Sequence, residues 1–120
     1  MTDGTLTGSR ILVVEDEYMI AMLIESLLED LGCVLADIAA KPERAFEIID
    51  ATEIDAAVLD VNLNGVDSFG IAAVLAERDI PFVFATGYGG SRLPPEFANR
   101  PVLQKPYRIG DLEQALKAIL

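Results

Sequence analysis

Asp55-Ala56-Ala57-Val58-Leu59-Asp60-Val61-Asn62-Leu63-Asn64-Gly65 is apolar from Ala56 to Leu59, turns acidic at Asp60 and then breaks into a turn. Ala56 to Leu59 is the uninterrupted apolar run of a strand buried on both faces. In an open parallel sheet, ligands bind in the crevice beyond the carboxyl ends of the strands. A carboxylate just past such a strand therefore stands where chemistry can occur. Taken alone, Asp60 is equally an acid that begins a turn, and the flanking chain has to decide between the two.

The same pattern recurs on both sides. Ile11 to Val14 is apolar and ends on Glu15-Asp16. Cys33 to Ile38 reads as a second strand and Ile54 to Asp60 as the third. Ile80 to Ala85 is the fourth and ends on Thr86-Gly87; its Pro81 lies near the start, where a missing donor is tolerated. Pro101 to Gln104 is a short last strand before Lys105-Pro106. Helical spacing fills the intervals. Ile20, Leu23, Ile24, Leu27, Leu28 and Leu31 follow the 3.6-residue period and stop at Gly32, with Asp16 a candidate N-cap and Glu17 in the first turn. Pro42 opens a second helix with Ala45, Phe46 and Ile49 inward. Ser68 to Arg78 offers Phe69, Ile71, Ala72 and Leu75 for burial, and Asp111 to Leu120 offers Leu112, Leu116, Ile119 and Leu120. Between Tyr88 and Arg100, Gly89, Gly90, Pro94 and Pro95 argue against a long helix and leave room for one short turn. Residues 1–8 are polar and glycine-containing and read as a disordered tail, leaving residues 9–120 as the domain.

Strands alternating with helices at this spacing specify an α/β fold with helices on both faces of a parallel sheet. Right-handed crossovers, with the acid-ended strands in the middle, favour a doubly wound five-stranded sheet of order 2-1-3-4-5. The fourth helix is expected to be shortened or replaced by a loop. That strand order sets Glu15 and Asp16 beside Asp60, with Thr86 and Lys105 on the same edge.

Composition narrows the chemistry. The 120 residues carry 9 basic and 20 acidic side chains, a formal net charge of -11, which leaves no basic patch for nucleic-acid phosphates. No apolar run reaches the length of a membrane span, and the N-terminus has no signal-like pattern. The single cysteine, Cys33, cannot form an internal disulfide and lies in an apolar run, which reads as a buried residue in a reducing, cytoplasmic setting. There is no histidine, so Ser-His-Asp and Cys-His catalysis are excluded, and any metal would be held by oxygens.

Carboxylates gathered in one crevice repel: at ~4 Å and an effective dielectric of ~20, a pair costs on the order of 4 kcal/mol. A hard cation relieves that repulsion, and magnesium (or manganese) suits an all-oxygen site while leaving positions for phosphate oxygens. Lys105 adds a positive point charge and Thr86 a hydroxyl. Metal, ammonium and hydroxyl are what a transferring phosphoryl group requires around it, and a carboxylate can be its covalent acceptor. The residues point to phosphorylation of Asp60.

With Val14-Glu15-Asp16, Leu59-Asp60, Ala85-Thr86-Gly87 and Lys105-Pro106 in this order, the chain resembles a bacterial response-regulator receiver domain from about Ser9 to Leu120. The resemblance implies that Asp60 takes a phosphoryl group from the phosphohistidine of a histidine kinase or a histidine phosphotransfer protein. It implies Glu15, Asp16, Asp60 and the Asn62 backbone carbonyl as metal ligands, Thr86 and Lys105 as phosphoryl contacts, and a cis bond before Pro106. It implies a phosphorylation switch rather than a metabolic enzyme. Where such receivers usually carry a switch aromatic, this chain has Val102. Phe84-Ala85-Thr86-Gly87-Tyr88 is similar to the "FAT GUY" variety of receivers, which lack that aromatic and replace the fourth helix with a mobile loop. Phosphorylation is then expected to change the 87–100 loop around Tyr88 and Phe97, together with the final helix, for a downstream protein target; static core packing is the other reading of both aromatics. No second domain follows in these residues, which suggests a stand-alone receiver with no DNA-binding output.

Three rivals share parts of this pattern. A haloacid-dehalogenase-type phosphatase would carry an Asp where Asn62 stands. A flavodoxin-like electron carrier would need a phosphate-cradling loop where Glu15-Asp16-Glu17 would repel phosphate. A degenerate receiver, which binds partners without phosphorylation, would lack some of the site residues present here.

Overall fold

The structure is a computed structural model and describes residues 6–87, 93–105 and 108–120. Chain order is β1 Arg10–Val14, α1 Tyr18–Asp30, β2 Val34–Ala39, α2 Pro42–Ala51, β3 Ala56–Asp60, β4 Asn62–Leu63, β5 Val66–Asp67, α3 Phe69–Glu77, β6 Phe82–Thr86, a single 3-10 turn Pro95–Phe97, β7 Val102–Gln104 and α4 Ile109–Ile119. The main sheet has five strands in the order β2-β1-β3-β6-β7, every pair parallel. Counting only these strands, the order is the expected 2-1-3-4-5. Between β6 and β7 the described residues hold only the 3-10 turn, in place of a fourth full helix.

Successive strand residues face opposite sides of a sheet, and here both sides are covered. Leu12, Val14, Ala57, Leu59, Phe82 and Phe84 pack toward Ala45, Ile48 and Ile49 of α2 and Ile71, Ala72 and Leu75 of α3. Ile11, Val13, Ala56, Val58, Val83 and Ala85 pack toward Ile24 and Leu28 of α1 and Leu112 and Leu116 of α4. This two-sided burial is why the strands read as continuous apolar runs rather than alternating ones.

Helix faces are narrower than periodicity suggested. Leu23 is 44% exposed, Phe46 36% and Leu120 37%, although all three were expected inside. Each helix lies on one face of a sheet and can bury only one stripe. On α1 that stripe is Ala21, Ile24 and Leu28, about one turn apart, and Leu23 falls off it. The last helix also begins earlier than expected, at Ile109.

The N-terminal boundary differs too. Leu6 is only 2% exposed and belongs to the core on the α1/α4 side of the sheet. The Ser9 N–H donates to the Leu6 carbonyl at 3.1 Å, and the Gly8 N–H to the Gly32 carbonyl at 2.8 Å. One leucine within a polar stretch anchors residues 6–8 to the domain, while residues 1–5 lie outside the described residues. Cys33 is buried as expected, and burial pushes its thiol pKa up.

Gly32 ends α1 in a Schellman arrangement, with its own N–H on the Glu29 carbonyl at 3.0 Å and the Cys33 N–H on the Leu28 carbonyl at 2.9 Å. Its φ of +82° is in the left-handed region. Gly32→Ala is expected to lower unfolding stability by about 1 kcal/mol with an unchanged denaturant slope, because the cost is backbone strain rather than lost burial. Equilibrium urea unfolding checks this, and an unchanged midpoint would refute it.

Candidate functional site

The parallel register aligns the carboxyl ends of the strands. Val14 pairs with Leu59, Leu59 with Phe84 and Thr86 with Gln104. Glu15 and Asp16 therefore follow β1 at the level where Asp60 ends β3 and Thr86 ends β6, and Lys105 follows β7. The Lys105 N–H donates to the Thr86 carbonyl at 2.8 Å, extending the ladder to the point where the side chain departs.

The Lys105 ammonium lies between two acids. Its Nζ donates to Glu15 Oε1 at 2.6 Å and to Asp60 Oδ2 at 2.9 Å. The Glu17 N–H donates to Glu15 Oε2 at 3.1 Å, and the Asn62 N–H to Asp60 Oδ1 at 3.2 Å. Glu15, Asp60 and Thr86 are all buried, at 2%, 6% and 4% exposure. Burial pushes the Glu15 carboxyl up to about 7; the Lys105 and Glu17 hydrogen bonds oppose that shift, and neighbouring Asp60 adds to it. Burial works against the Lys105 ammonium, but its bonds to Glu15 and Asp60 outweigh that and hold its pKa above the usual lysine value.

Asp16 is half-buried and does not cap α1. The N-cap position is Glu17, which makes no side-chain cap bond. One carboxylate oxygen from each of Glu15, Asp16 and Asp60 lies within 4.8 Å of the others. These are hard oxygen donors with no nitrogen or sulfur among them, a set that fits magnesium or manganese.

A cleft of ≈ 780 Å³ opens over these residues, and its lining includes Asp16, Asp60, Asn62, Thr86 and Lys105. It also includes Asn64, Asp67 and Phe69, which sequence reasoning did not assign to the site. The cause is the antiparallel pair β4/β5, whose turn residues Asn64 and Gly65 have φ of 53° and 90°. Asn-Gly is the strongest short-range hairpin signal, and it was the available clue. The Gly65 N–H donates to Asn62 Oδ1 at 2.7 Å and fixes that turn.

Beside the cleft, Phe69 contacts Phe84 edge-on with centroids 6.0 Å apart, and Phe97 at 6.4 Å. Phe97 itself is buried among Phe82 and Phe84. It is core packing in this structure. Val102 is exposed on its strand at the sheet edge. Tyr88 and the bond before Pro106 lie outside the described residues.

A carboxylate, a second acid and an ammonium at the carboxyl edge of a five-stranded doubly wound sheet define a receiver-type site. The chain belongs to the response regulator receiver domain family, whose pattern residues 11–117 match. Among solved structures it is similar to SdrG from Sphingomonas melonis Fr1, with 43% identity, a TM-score of 0.84 and coverage of 98% of both chains. The BeF3-activated form of SdrG matches with 43% identity and a TM-score of 0.82, over 95% of this chain and 98% of that one. TrrA of Thermotoga maritima, solved in complex with Mg(2+)-BeF, is 25% identical with a TM-score of 0.82, over 93% of this chain and 99% of that one. The transcriptional regulatory protein TcrA of Mycobacterium tuberculosis is 34% identical over 122 residues, 97% of this chain and 47% of TcrA. The chain thus spans about half the length of the curated relatives it matches. No helix among the described residues is long and apolar enough to cross a membrane.

Proposed function

We propose that this chain is the phosphoacceptor of a two-component or phosphorelay pathway and acts as a cytoplasmic phosphorylation switch, not as an enzyme on a separate substrate. An Asp60 carboxylate oxygen attacks the phosphorus of a phosphohistidine on a histidine kinase or phosphotransfer protein. The P–N bond breaks, an aspartyl phosphate forms and the imidazole leaves. Lys105 follows the charge as it moves onto the phosphoryl oxygens, and Thr86 offers its hydroxyl to one of them. Glu15, Asp16, Asp60 and the Asn62 carbonyl are the candidate holders of magnesium, which when bound neutralises phosphoryl charge. The reading extends to the output: the phosphoryl group changes the 87–100 segment and the final-helix surface for a protein partner. The observation that carries it is the Lys105 ammonium held 2.9 Å from the Asp60 carboxylate, both residues lining the cleft. That TrrA was solved with Mg(2+)-BeF supports magnesium here.

The experiment is incubation with acetyl phosphate and magnesium, read by intact mass. A gain of one phosphoryl group is expected. No gain, or steady release of phosphate from assorted small esters with no labelled protein, would refute the reading.

A further inference from the structure

The turn between β4 and β5 carries an Asn-Gly pair whose own chemistry the phosphoacceptor role does not use. Asn64 and Gly65 are both exposed, and both line the cleft. Their φ values of 53° and 90° lie in the left-handed region, which asparagine and glycine tolerate better than other residues. An asparagine amide is thermolabile because the nitrogen of the next residue can attack it, and glycine has no side chain to obstruct that attack. Of the three asparagines in the chain, Asn62 precedes Leu63 and Asn99 precedes Arg100; Asn64 alone precedes a glycine. Nothing among the described residues comes within 4 Å of the place where a Gly65 side chain would begin, so the peptide has room to turn. One contact opposes the reaction. The Gly65 N–H donates to Asn62 Oδ1 at 2.7 Å, which keeps the proton on the attacking nitrogen and pins that nitrogen in the turn.

We propose that Asn64 is a site of spontaneous covalent modification and that the Asn62 side chain is its brake. When the turn opens locally, the Gly65 nitrogen gives up its proton and bonds to Asn64 Cγ. The bond from Cγ to the amide nitrogen breaks, and ammonia leaves with that proton. Water then opens the cyclic imide. Opening at Cγ leaves aspartate; opening at the α-carbonyl leaves isoaspartate, with a backbone one carbon longer. Either product puts a further carboxylate on a cleft wall that already includes Asp16, Glu17, Asp60 and Asp67. Resting on the phosphoacceptor reading, that charge repels an anionic phosphodonor and slows its transfer to Asp60.

The chemistry is read without reference to phosphorylation. The chain is held warm in mildly alkaline buffer and sampled by peptide mapping, with an isoaspartyl methyltransferase to count isoaspartate. A net gain of one mass unit is expected at Asn64 and none at Asn62 or Asn99. Asn62→Ala is expected to speed the gain several-fold, and Asn62→Asp, which keeps an oxygen acceptor, to leave it near the wild-type rate. Asn62 is exposed, so neither change opens the core, and thermal melts check that both variants stay folded. No gain at Asn64 in Asn62→Ala, or one rate in all three proteins, would overturn the inference. For the consequence, Asn64→Asp stands in for the aged protein and is expected to take label from acetyl phosphate several-fold more slowly than fresh wild type; equal labelling would remove the charge effect. Fresh wild type that takes no label at all sinks the phosphoacceptor reading instead and leaves the mass-gain result standing.

Discussion

Asp60→Asn takes up no phosphoryl group from acetyl phosphate under conditions that label the wild-type chain, and the loss is complete. A carboxamide oxygen carries no full negative charge and is a poor nucleophile toward phosphorus, so the change removes the reacting atom itself. The two acids grouped with it in the site are not placed to substitute. Glu15 is buried behind the Lys105 ammonium, and Asp16 is committed in this reading to the cation. Glu17 and Asp67, which also line the cleft, are the other acids to watch among the described residues. Intact mass followed by peptide mapping checks the prediction, and a label on Asp67 or Asp16 in the variant would refute the assignment of Asp60. The fold should survive the change. Lys105 keeps its 2.6 Å bond to Glu15, so no buried charge is left wholly unpaired, which is the situation that costs most.

The second large effect is thermal. A ligand bound only by the folded state stabilises it by about 2.7 kcal/mol at a hundred times its dissociation constant. For a domain of this size, that corresponds to a rise in melting temperature of roughly 10 °C. Magnesium at saturating concentration is expected to give this rise in the wild type and almost none in Asp16→Asn. The reason is local: one oxygen from each of three carboxylates converges within 4.8 Å, with a single ammonium among them. The same imbalance predicts that metal-free Asp16→Asn melts at or slightly above metal-free wild type, because one repulsive neighbour is gone. Melts with and without magnesium decide it, and a variant that keeps the full rise would remove Asp16 from the metal site.

Much of the fold was legible because its strands are covered on both faces. Ala56–Leu59 and Phe82–Ala85 are apolar without interruption, and such runs need no partner to be identified. Helix faces were less legible. Periodicity names every apolar position near a stripe, but only the sheet decides how wide the buried stripe is, and so Leu23 and Phe46 were misplaced. The β4/β5 pair was missed because its strands have two residues each, too few for an alternation to register. Leu6 was missed because composition averages a single anchoring side chain away.

By itself, the sequence determined the order of the five main-sheet strands and the helices between them, the five-strand topology, and the set of acids, threonine and lysine that end those strands. These follow from local patterns of burial and charge carried by each segment alone. Which of those groups touch was decided only by the tertiary structure. Register and strand order bring Lys105 onto Glu15 and Asp60, 90 and 45 residues away in the chain, and the β4/β5 turn brings Asp67 and Phe69 to the same cleft. Distances between side chains on different strands depend on how those strands pair, and no single segment carries that information.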